Sequence, residues 1–247
     1  MPDNAFDVLI LIARPAAGKS EIIHFLKQTP PDERVRRFHI GPFVEIDDFP
    51  MLWAWFEEDD ILERLGYPRL HSTPDYYFRD PILWHVLIER ISLEYEKLLR
   101  RQPDFHDEHT ALIEFSRGMG EAGGYREAFG HLSDELLRRA GVMYVDVSYE
   151  ESLRKNRARY DPDQPDSILH HALTDEKMER LYREDDFAQF SAADPHWLAV
   201  KGRRVPYVIF ENHDDVTTAV RSGGDLAPLA RRLEERLGAL WELYRTR

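Results

Sequence analysis

The chain of 247 residues contains no cysteine. Disulfide bonds, thiolate zinc sites and catalysis by a thiol are therefore excluded. No apolar run approaches the roughly 18 to 20 residues that a membrane-spanning helix needs, so the sequence predicts no transmembrane segment. The N-terminus lacks the basic start of a secretory signal, and we expect a cytoplasmic protein without a membrane partner.

Basic residues are fewer than acidic residues. Lysine and arginine number 33 against 46 aspartates and glutamates, which leaves a formal net charge of −13. Because neutralising many phosphates requires an extended basic surface, this balance argues against general nucleic-acid binding. A local basic pocket remains compatible with it. The hydrophobic fraction of 43% indicates a folded protein, and the length suits one domain spanning residues 1–247.

The stretch ARPAAGKS, residues 13–20, lies between two apolar segments. The segment before it, AFDVLILI, predicts a strand buried on both faces of a parallel sheet. The segment after it, EIIHFLK, predicts one face of a helix that ends near Pro30. Gly18, Lys19 and Ser20 match the end of the pattern GxxxxGK[ST], with Ala13 in place of its first glycine. Such a pattern at a strand-to-helix turn is typical of a phosphate-binding loop.

The chemistry of such a loop explains its residue types. Small residues and Gly18 let backbone N–H groups approach phosphate oxygens, and the start of the helix adds partial positive charge. Lys19 would neutralise the outer phosphates and act in catalysis, and the Ser20 hydroxyl would ligate Mg²⁺. The predicted nucleotide-binding residues are Ala13, Arg14, Pro15, Ala16, Ala17, Gly18, Lys19 and Ser20.

ARPAAGKS followed by a helix resembles the phosphate-binding loop of P-loop kinases of small molecules, which include the nucleoside and nucleotide kinases. The resemblance implies ATP as phosphoryl donor and Mg²⁺ bridging its phosphates. It also implies a parallel sheet with the strand order 2-3-1-4-5. Relatives of this kind are often dimers, so a homodimer is among the expectations.

The segment HIGPFVEIDDF, residues 39–49, predicts a second strand with Asp47 and Asp48 at its carboxyl end. Ligands bind at that edge of an open parallel sheet. Uridine kinase and nicotinamide riboside kinase carry a similar strand that ends in an acid followed by an aromatic residue. This resemblance implies that Asp47 orients or deprotonates the acceptor hydroxyl. Asp48 would lie near the metal or the substrate, or be the second candidate for the base. A solvated turn or a helix N-cap is the alternative for both acids.

The segment TALIEFSRG, residues 110–118, predicts a third strand with Glu114 near its end. An apolar strand that closes on an acid resembles a Walker B arrangement, which implies that Glu114 holds Mg²⁺. Deoxynucleoside kinases place a glutamate and a following arginine at a similar strand end. By that resemblance, Arg117 would contact the substrate or the transferred phosphate.

Residues 50–107, between the second and third strands, carry helical periodicity and many aromatic residues. In P-loop kinases this segment commonly holds the acceptor, which implies a helical acceptor-binding insert and a ring-containing acceptor. Arg79 would contact a polar group of that substrate. The alternative is that the aromatic side chains pack against one another in a core.

VMYVDV, residues 142–147, predicts a fourth strand. The resemblance implies that residues 150–190 form a lid-like segment whose arginines close over the triphosphate. We select Arg154 and Arg157, which lie about one helical turn apart, as catalytic. A solvated helix face is the alternative. A basic cluster near the start of this segment consists of Arg154, Lys155, Arg157 and Arg159.

Three further features complete the chain. Residues 161–166 suit a hinge or loop. His170 and His171 are adjacent and would diverge on a helix, so we interpret them as structural and not as metal ligands. A fifth strand over residues 203–212 ends at Asn212, which the resemblance places near the adenine together with His213.

The sequence thus predicts an α/β fold, a three-layer α/β/α sandwich around a five-stranded parallel sheet. Its predicted function is ATP-dependent phosphotransfer to a hydroxyl of a small molecule, nucleoside-like or otherwise ring-containing. A nucleotide-dependent regulatory NTPase stays open, although the chain lacks the guanine-reading motif NKxD. A kinase-like scaffold without transfer also stays open because of Ala13. Polynucleotide kinases share the core, but the acidic balance counts against them.

Overall fold

The computed structural model describes residues 4–159 and 173–247. The predicted hinge at 161–166 and the pair His170–His171 lie outside these ranges. No helix within them combines the length and apolar character that crossing a membrane requires. The strands are β1 (Val8–Ala13), β2 (Phe43–Asp47), β3 (Thr110–Phe115), β4 (Ala140–Asp146), β5 (Trp197–Val200) and β6 (Arg203–Glu211). The helices are α1 (Lys19–Gln28), α2 (Pro31–Phe38), α3 (Phe49–Arg64), α4 (Ile82–Arg101), α5 (Phe105–Glu108), α6 (Gly124–His131), α7 (Asp134–Arg139), α8 (Tyr149–Arg159), α9 (Asp175–Tyr182), α10 (Phe187–Ser191), α11 (Ala219–Ser222) and α12 (Ala227–Tyr244).

In the described ranges the strands form one sheet in the order β2-β3-β1-β4-β6-β5. All neighbouring pairs are parallel except β5 and β6, which are antiparallel. The predicted order 2-3-1-4-5 holds for the five predicted strands, because the last of them is β6. The prediction of a five-stranded, wholly parallel sheet is wrong, since β5 adds a sixth strand at the edge.

A tight turn explains the extra strand. Lys201 and Gly202 both have positive φ, at 48° and 74°, and join β5 directly to β6. Two residues with positive φ are what a type I′ hairpin turn requires, and such a turn produces antiparallel strands. The short run WLAV was too brief to stand out as a strand by its own apolar pattern.

Side chains of β1 alternate between two apolar layers, which is why the sheet is covered on both sides. Val8 and Ile10 pack into a cluster with α4, α6, α7 and α10. Leu9 and Leu11 pack into another with α1, α2 and α12. Every residue of β1 is buried, as the continuous apolar run predicts. The three-layer arrangement thus follows from the central strand.

The insert is helical, with α3, α4 and α5 between β2 and β3. Its aromatic residues largely pack together in a third cluster, which includes Trp55, Phe78 and Trp84. Met178 and Tyr182 of α9 join the same cluster. This contact connects the insert to the segment that follows α8. The packing alternative therefore accounts for these aromatic side chains, and acceptor binding by the insert stays a prediction.

A buried carboxylate on α3 holds the loop that leads to α4. Asp59 is fully buried, and it accepts hydrogen bonds from the N–H groups of Leu70 (2.7 Å), His71 (3.0 Å) and Ser72 (2.5 Å). The Ser72 hydroxyl donates a fourth at 2.7 Å. Burial alone would raise the pKa of Asp59, but these hydrogen bonds outweigh it and hold the pKa below its usual range. Asp59 is therefore ionised and determines the path of this loop.

We expect Asp59→Ala to reduce the free energy of unfolding by about 3–5 kcal/mol, because it leaves several buried donors without an acceptor. Urea denaturation measures the loss, and amide exchange at residues 70–72 should accelerate. Asp60→Ala is the matched control. Asp60 is the exposed neighbour that pairs with Arg69, and removing it should cost less than about 1 kcal/mol. Equal effects of the two substitutions would contradict the anchoring role of Asp59.

Candidate functional site

The turn between β1 and α1 has a backbone that only glycine fits at its key position. Gly18 has φ of 118°, and a Cβ there would lie 2.6 Å from Thr217 Oγ1. Both the backbone angle and the close approach exclude a larger residue. Ala13 is the last residue of β1 and is fully buried, so its methyl group is accommodated within the sheet.

The start of α1 has the chemistry to bind an anion. Gly18 occupies the N-cap position, and no side chain among the described residues caps the helix. The first N–H groups of a helix have no partner within it, and they carry the positive end of the helix dipole. Lys19 and Ser20 lie at this end, with Ser20 exposed. Together these groups can bind a phosphate.

Side chains from later in the chain hold this loop by its carbonyl groups. Ser152 Oγ donates to the carbonyl of Pro15 at 2.7 Å, and Asn212 Nδ2 donates to the carbonyl of Ala17 at 2.9 Å. Asn212 is predicted to contact adenine, but in the structure its amide group holds the loop. Its Oδ1 is buried and has no hydrogen-bond partner among the described residues. The loop conformation therefore depends on α8 and on the end of β6.

Arg14 makes a further connection of the same kind. Its Nη1 donates to the carbonyl of Val147 at 3.2 Å, and its Nη2 forms an ion pair with Asp185 at 3.0 Å. The guanidinium group is thus committed to the segments that follow β4 and α9. We infer that Arg14 serves the site through its backbone and by holding the loop.

Two carboxylates meet at the carboxyl end of the sheet. Asp47 and Glu114 are register partners on the adjacent parallel strands β2 and β3. Glu114 is two residues after Leu112, which packs on the α1 side of the sheet, so Glu114 lies on that same face. Asp47 pairs in register with Glu114, so both carboxylates lie on the side that carries the loop. Lys19 lies against them, and its Nζ donates to Ser116 Oγ at 2.7 Å. Ser116 was not among the predicted site residues.

The charges of this group are strongly coupled. Burial, with the negative charges of Glu114 and Asp48, raises the pKa of Asp47 to about 8. Burial also raises the pKa of Glu114, against the opposing effect of Lys19. The pKa of Lys19 is lowered by burial, while the neighbouring carboxylates act to raise it. A buried cation facing two partly buried acids is an arrangement that is unfavourable in isolation and typical of sites that bind charged ligands.

Asp48 and Arg117, both predicted to bind substrate, form a buried ion pair. Arg117 Nη1 lies 2.6 Å from Asp48 Oδ2. Arg117 also donates to the carbonyl groups of Ser116 (2.6 Å) and Trp84 (3.2 Å), and its guanidinium lies over the Trp84 ring. Contact of either charge with substrate would require this pair to open. In the structure the pair joins β2 to the end of β3 and to the insert.

The arginines of α8 are divided between two faces. Arg154 pairs with Glu151 and Asp215, and Arg157 pairs with Asp175. Both are largely exposed, with 60% of the Arg157 side chain accessible.

Arg159 lies on the opposite face of α8, with only 18% of its side chain accessible, and pairs with Glu21 of α1 at 3.4 Å. Its charge acts on both Lys19 and Glu114. Arg159 is therefore the arginine of α8 that the structure places beside the loop. Arg154 and Arg157 stay predictions as catalytic residues.

Helical spacing explains why Arg159 lies beside the loop. Ser152, Lys155 and Asn156 are the buried residues of α8, and Arg159 follows them at the same spacing of three and four residues. Lys155 Nζ pairs with Asp215 at 2.5 Å and donates to Thr217 Oγ1 at 3.3 Å, next to Gly18. The face of α8 that meets the loop is thus polar.

Two other predicted residues lie apart from this group. Arg79 donates to the carbonyl of Arg69 at 2.7 Å and lines a cavity of about 510 Å³ together with Tyr67 and Thr73. His213 is exposed and lies 3.1 Å from Asp146 Oδ2. Their roles toward acceptor and adenine stay predictions.

No family model and no curated protein matches the chain. A solved gluconokinase from Sinorhizobium meliloti 1021 is 16% identical, with 98% of each chain covered and a TM-score of 0.46. The protein APE1195 is 15% identical over 98% of this chain and 97% of its own, with a TM-score of 0.40. A ParA family ATPase from Chlorobium tepidum TLS is 14% identical over 97% of this chain and 98% of its own, with a TM-score of 0.30. At these values the function must be derived from the chain's own residues.

Proposed function

We propose that the chain transfers the terminal phosphoryl group of ATP to a hydroxyl group of a small molecule. The observation that carries this proposal is the position of Lys19. It stands at the start of α1, which no described side chain caps, and it faces Asp47 and Glu114 at the carboxyl end of the sheet. An anion-binding helix end opposite a pair of carboxylates provides both halves of a phosphoryl-transfer site.

The donor half would hold the nucleotide phosphates. The N–H groups at the start of α1 and the Lys19 ammonium bind phosphate oxygens. The Ser20 hydroxyl and the Glu114 carboxylate are oxygen ligands of the type that Mg²⁺ prefers, so this donor set fits that ion. Mg²⁺ would neutralise charge on the phosphates. Arg159 would add a second positive charge beside Lys19.

The acceptor half centres on Asp47. A hydroxyl oxygen placed beside this carboxylate attacks the terminal phosphorus in line with the bond to the leaving nucleoside diphosphate. The new oxygen–phosphorus bond forms as the old one breaks, and the hydroxyl proton passes to Asp47 late in the transfer. A pKa near 8 makes Asp47 a stronger base than an exposed aspartate once it is ionised.

The acceptor itself we infer to be a ring-containing small molecule, held by the helical insert. The insert begins directly after Asp48 and presents aromatic side chains near the end of β2. The partly buried aromatic residues at the margin of this cluster, such as Trp53 and Tyr77, would contact a planar or ring-shaped substrate. The cavity beside Arg79 offers polar contacts on the same insert.

The first test is a thermal-shift titration of the full chain with Mg-ATP, Mg-GTP and pyrophosphate, because a ligand of the native state raises the melting temperature. ATP should give the largest shift. Mass spectrometry should then detect a phosphorylated product, with nucleosides first among the acceptors screened and sugars next. Hydrolysis of ATP with no phosphorylated product would favour the regulatory NTPase. The lack of any shift would overturn the proposal.

We expect Arg159→Ala to lower the transfer rate by roughly 10²- to 10³-fold, because it removes a positive charge beside the transferred phosphoryl group. Steady-state kinetics with saturating ATP measures the loss. Arg157→Ala is the matched control on the same helix, and it should change the rate by less than about threefold, since exposed ion pairs contribute little. A larger loss of rate in Arg157→Ala than in Arg159→Ala would instead favour Arg157, the arginine that the sequence analysis selects as catalytic.

A further inference from the structure

Away from the β1–α1 loop, two helices bring four ligand-type side chains together. α4 carries His85 and Glu89, and α6 carries Glu127 and His131. Each pair is separated by four residues and therefore lies on one helix face. The two histidine rings stack, with centroids 4.4 Å apart and an interplanar angle of 16°.

The ligand atoms of three of these residues converge. One ligand atom each from His85, Glu127 and His131 lies within 4.8 Å of the others. His131 Nε2 is 3.7 Å from Glu127 Oε1, which is on the same helix. His131 Nδ1 is 3.1 Å from Glu89 Oε1, on the neighbouring helix. The two nitrogens of one imidazole thus face carboxylates on opposite sides.

This arrangement orients the His131 ring. In the tautomer with the proton on Nδ1, that nitrogen would donate to Glu89, and the lone pair of Nε2 would be directed toward Glu127. In metal sites, the ring nitrogen that does not bind the metal commonly donates a hydrogen bond to a carboxylate, which fixes the orientation of the imidazole.

We propose that His85, Glu127 and His131 bind a divalent transition-metal ion, with Zn²⁺ as the best fit, and that Glu89 positions His131. Two imidazole nitrogens and one carboxylate oxygen are a Zn²⁺ donor set, whereas Mg²⁺ and Ca²⁺ take oxygen ligands. Ligand distances of about 2.0–2.2 Å require the three atoms to draw closer together. Side-chain rotation allows this, since 57% of Glu127 and 30% of His131 are accessible.

A bound ion would join the insert to the core. α4 belongs to the insert and α6 follows β3, so the metal would connect two segments that are distant in sequence. His85 also follows Trp84, whose carbonyl accepts from Arg117. Through Trp84 and Arg117, a bound ion would therefore stabilise the segment at the end of β3. This inference does not depend on the proposed phosphotransfer.

Equilibrium dialysis of the metal-free full chain against Zn²⁺, without nucleotide or Mg²⁺, tests the proposal. We expect close to one ion per chain and a melting temperature that rises with free Zn²⁺. His85→Ala and His131→Ala should abolish both effects. His24→Ala is the matched control, because His24 is exposed on α1 and contacts Gln28. It should bind like the wild type.

Two further measurements separate a metal site from simple histidine–glutamate ion pairing. Glu89→Gln should weaken Zn²⁺ binding by roughly 10- to 100-fold while the stoichiometry at saturation stays the same. Co²⁺ bound in place of Zn²⁺ should show the visible absorption typical of a Co²⁺ ion with a low coordination number. Glu127→Gln should change this absorption. If His85→Ala misfolds, Glu127→Gln carries the test. The proposal would be overturned if Zn²⁺ affinity were unchanged in both Glu89→Gln and Glu127→Gln, or if the wild type bound no detectable Zn²⁺.

Discussion

Lys19→Ala is expected to weaken ATP binding by about 2–5 kcal/mol, or roughly 30- to several-thousand-fold, because it removes a buried cation that pairs with phosphate. Lys19 is the first residue of α1, and no side chain among the described residues caps that helix end. The change should not unfold the protein, because Lys19 contributes to neither apolar layer of the sheet. Isothermal titration calorimetry with Mg-ATP measures the loss of affinity.

Lys27→Ala provides the control for this substitution. Lys27 is on the same helix but is exposed, and its Nζ pairs with Glu45 at 2.7 Å. Its removal should leave ATP affinity within about twofold of the wild type. If both variants bound ATP equally well, the loop would not be the nucleotide site, and the scaffold alternative would take its place.

Asp47→Asn should lower phosphoryl transfer by about 10²- to 10⁴-fold, the range expected when a general base is lost. Asparagine has the same shape as aspartate but cannot take the acceptor proton. ATP affinity should not fall, since Asp47 supplies a negative charge and no hydrogen-bond donor to the phosphates. Product formation under single-turnover conditions measures the effect. Normal turnover by this variant would move the base to Glu114 or Asp48.

The stability of this variant offers an independent readout. Folding raises the pKa of Asp47 from 3.8 to about 8, so the folded protein favours the protonated form. Its contribution to stability is therefore present below pH 3.8 and is lost as pH rises toward 8. Without ligands, Asp47→Asn should melt at a higher temperature than the wild type at pH 8. Glu45→Gln, on the same strand, should show no such gain.

The central part of the fold was predictable because its signals are local. The continuous apolar run before the loop predicts a fully buried β1, and β1 is buried throughout. Gly18 is required by a positive φ that the motif itself encodes. The sequence also places Asp47 and Glu114 at strand ends. Their register in neighbouring strands brings them together, as a parallel sheet requires.

The choice among the arginines of α8 was not predictable in the same way. Hydrophobic periodicity reveals which face of a helix is buried only when that face is apolar. The buried face of α8 consists of Ser152, Lys155 and Asn156, so it carries no apolar signal. The partners that distinguish Arg159 from Arg157 are Glu21 and Asp175, which are far apart in sequence. Only the tertiary structure identifies them.

The antiparallel hairpin has a consequence for the behaviour of the protein in concentrated solution. Without β5, the nine residues of β6 would form a long open edge with unpaired N–H and C=O groups. Such an edge invites strands of other molecules to add to it, which leads to aggregation. The new edge is only four residues long, and Arg204 lies over the Trp197 ring there. The opposite edge, β2, has five residues and carries the charged Glu45. Both ends of the sheet are thus poor templates for intermolecular strand pairing.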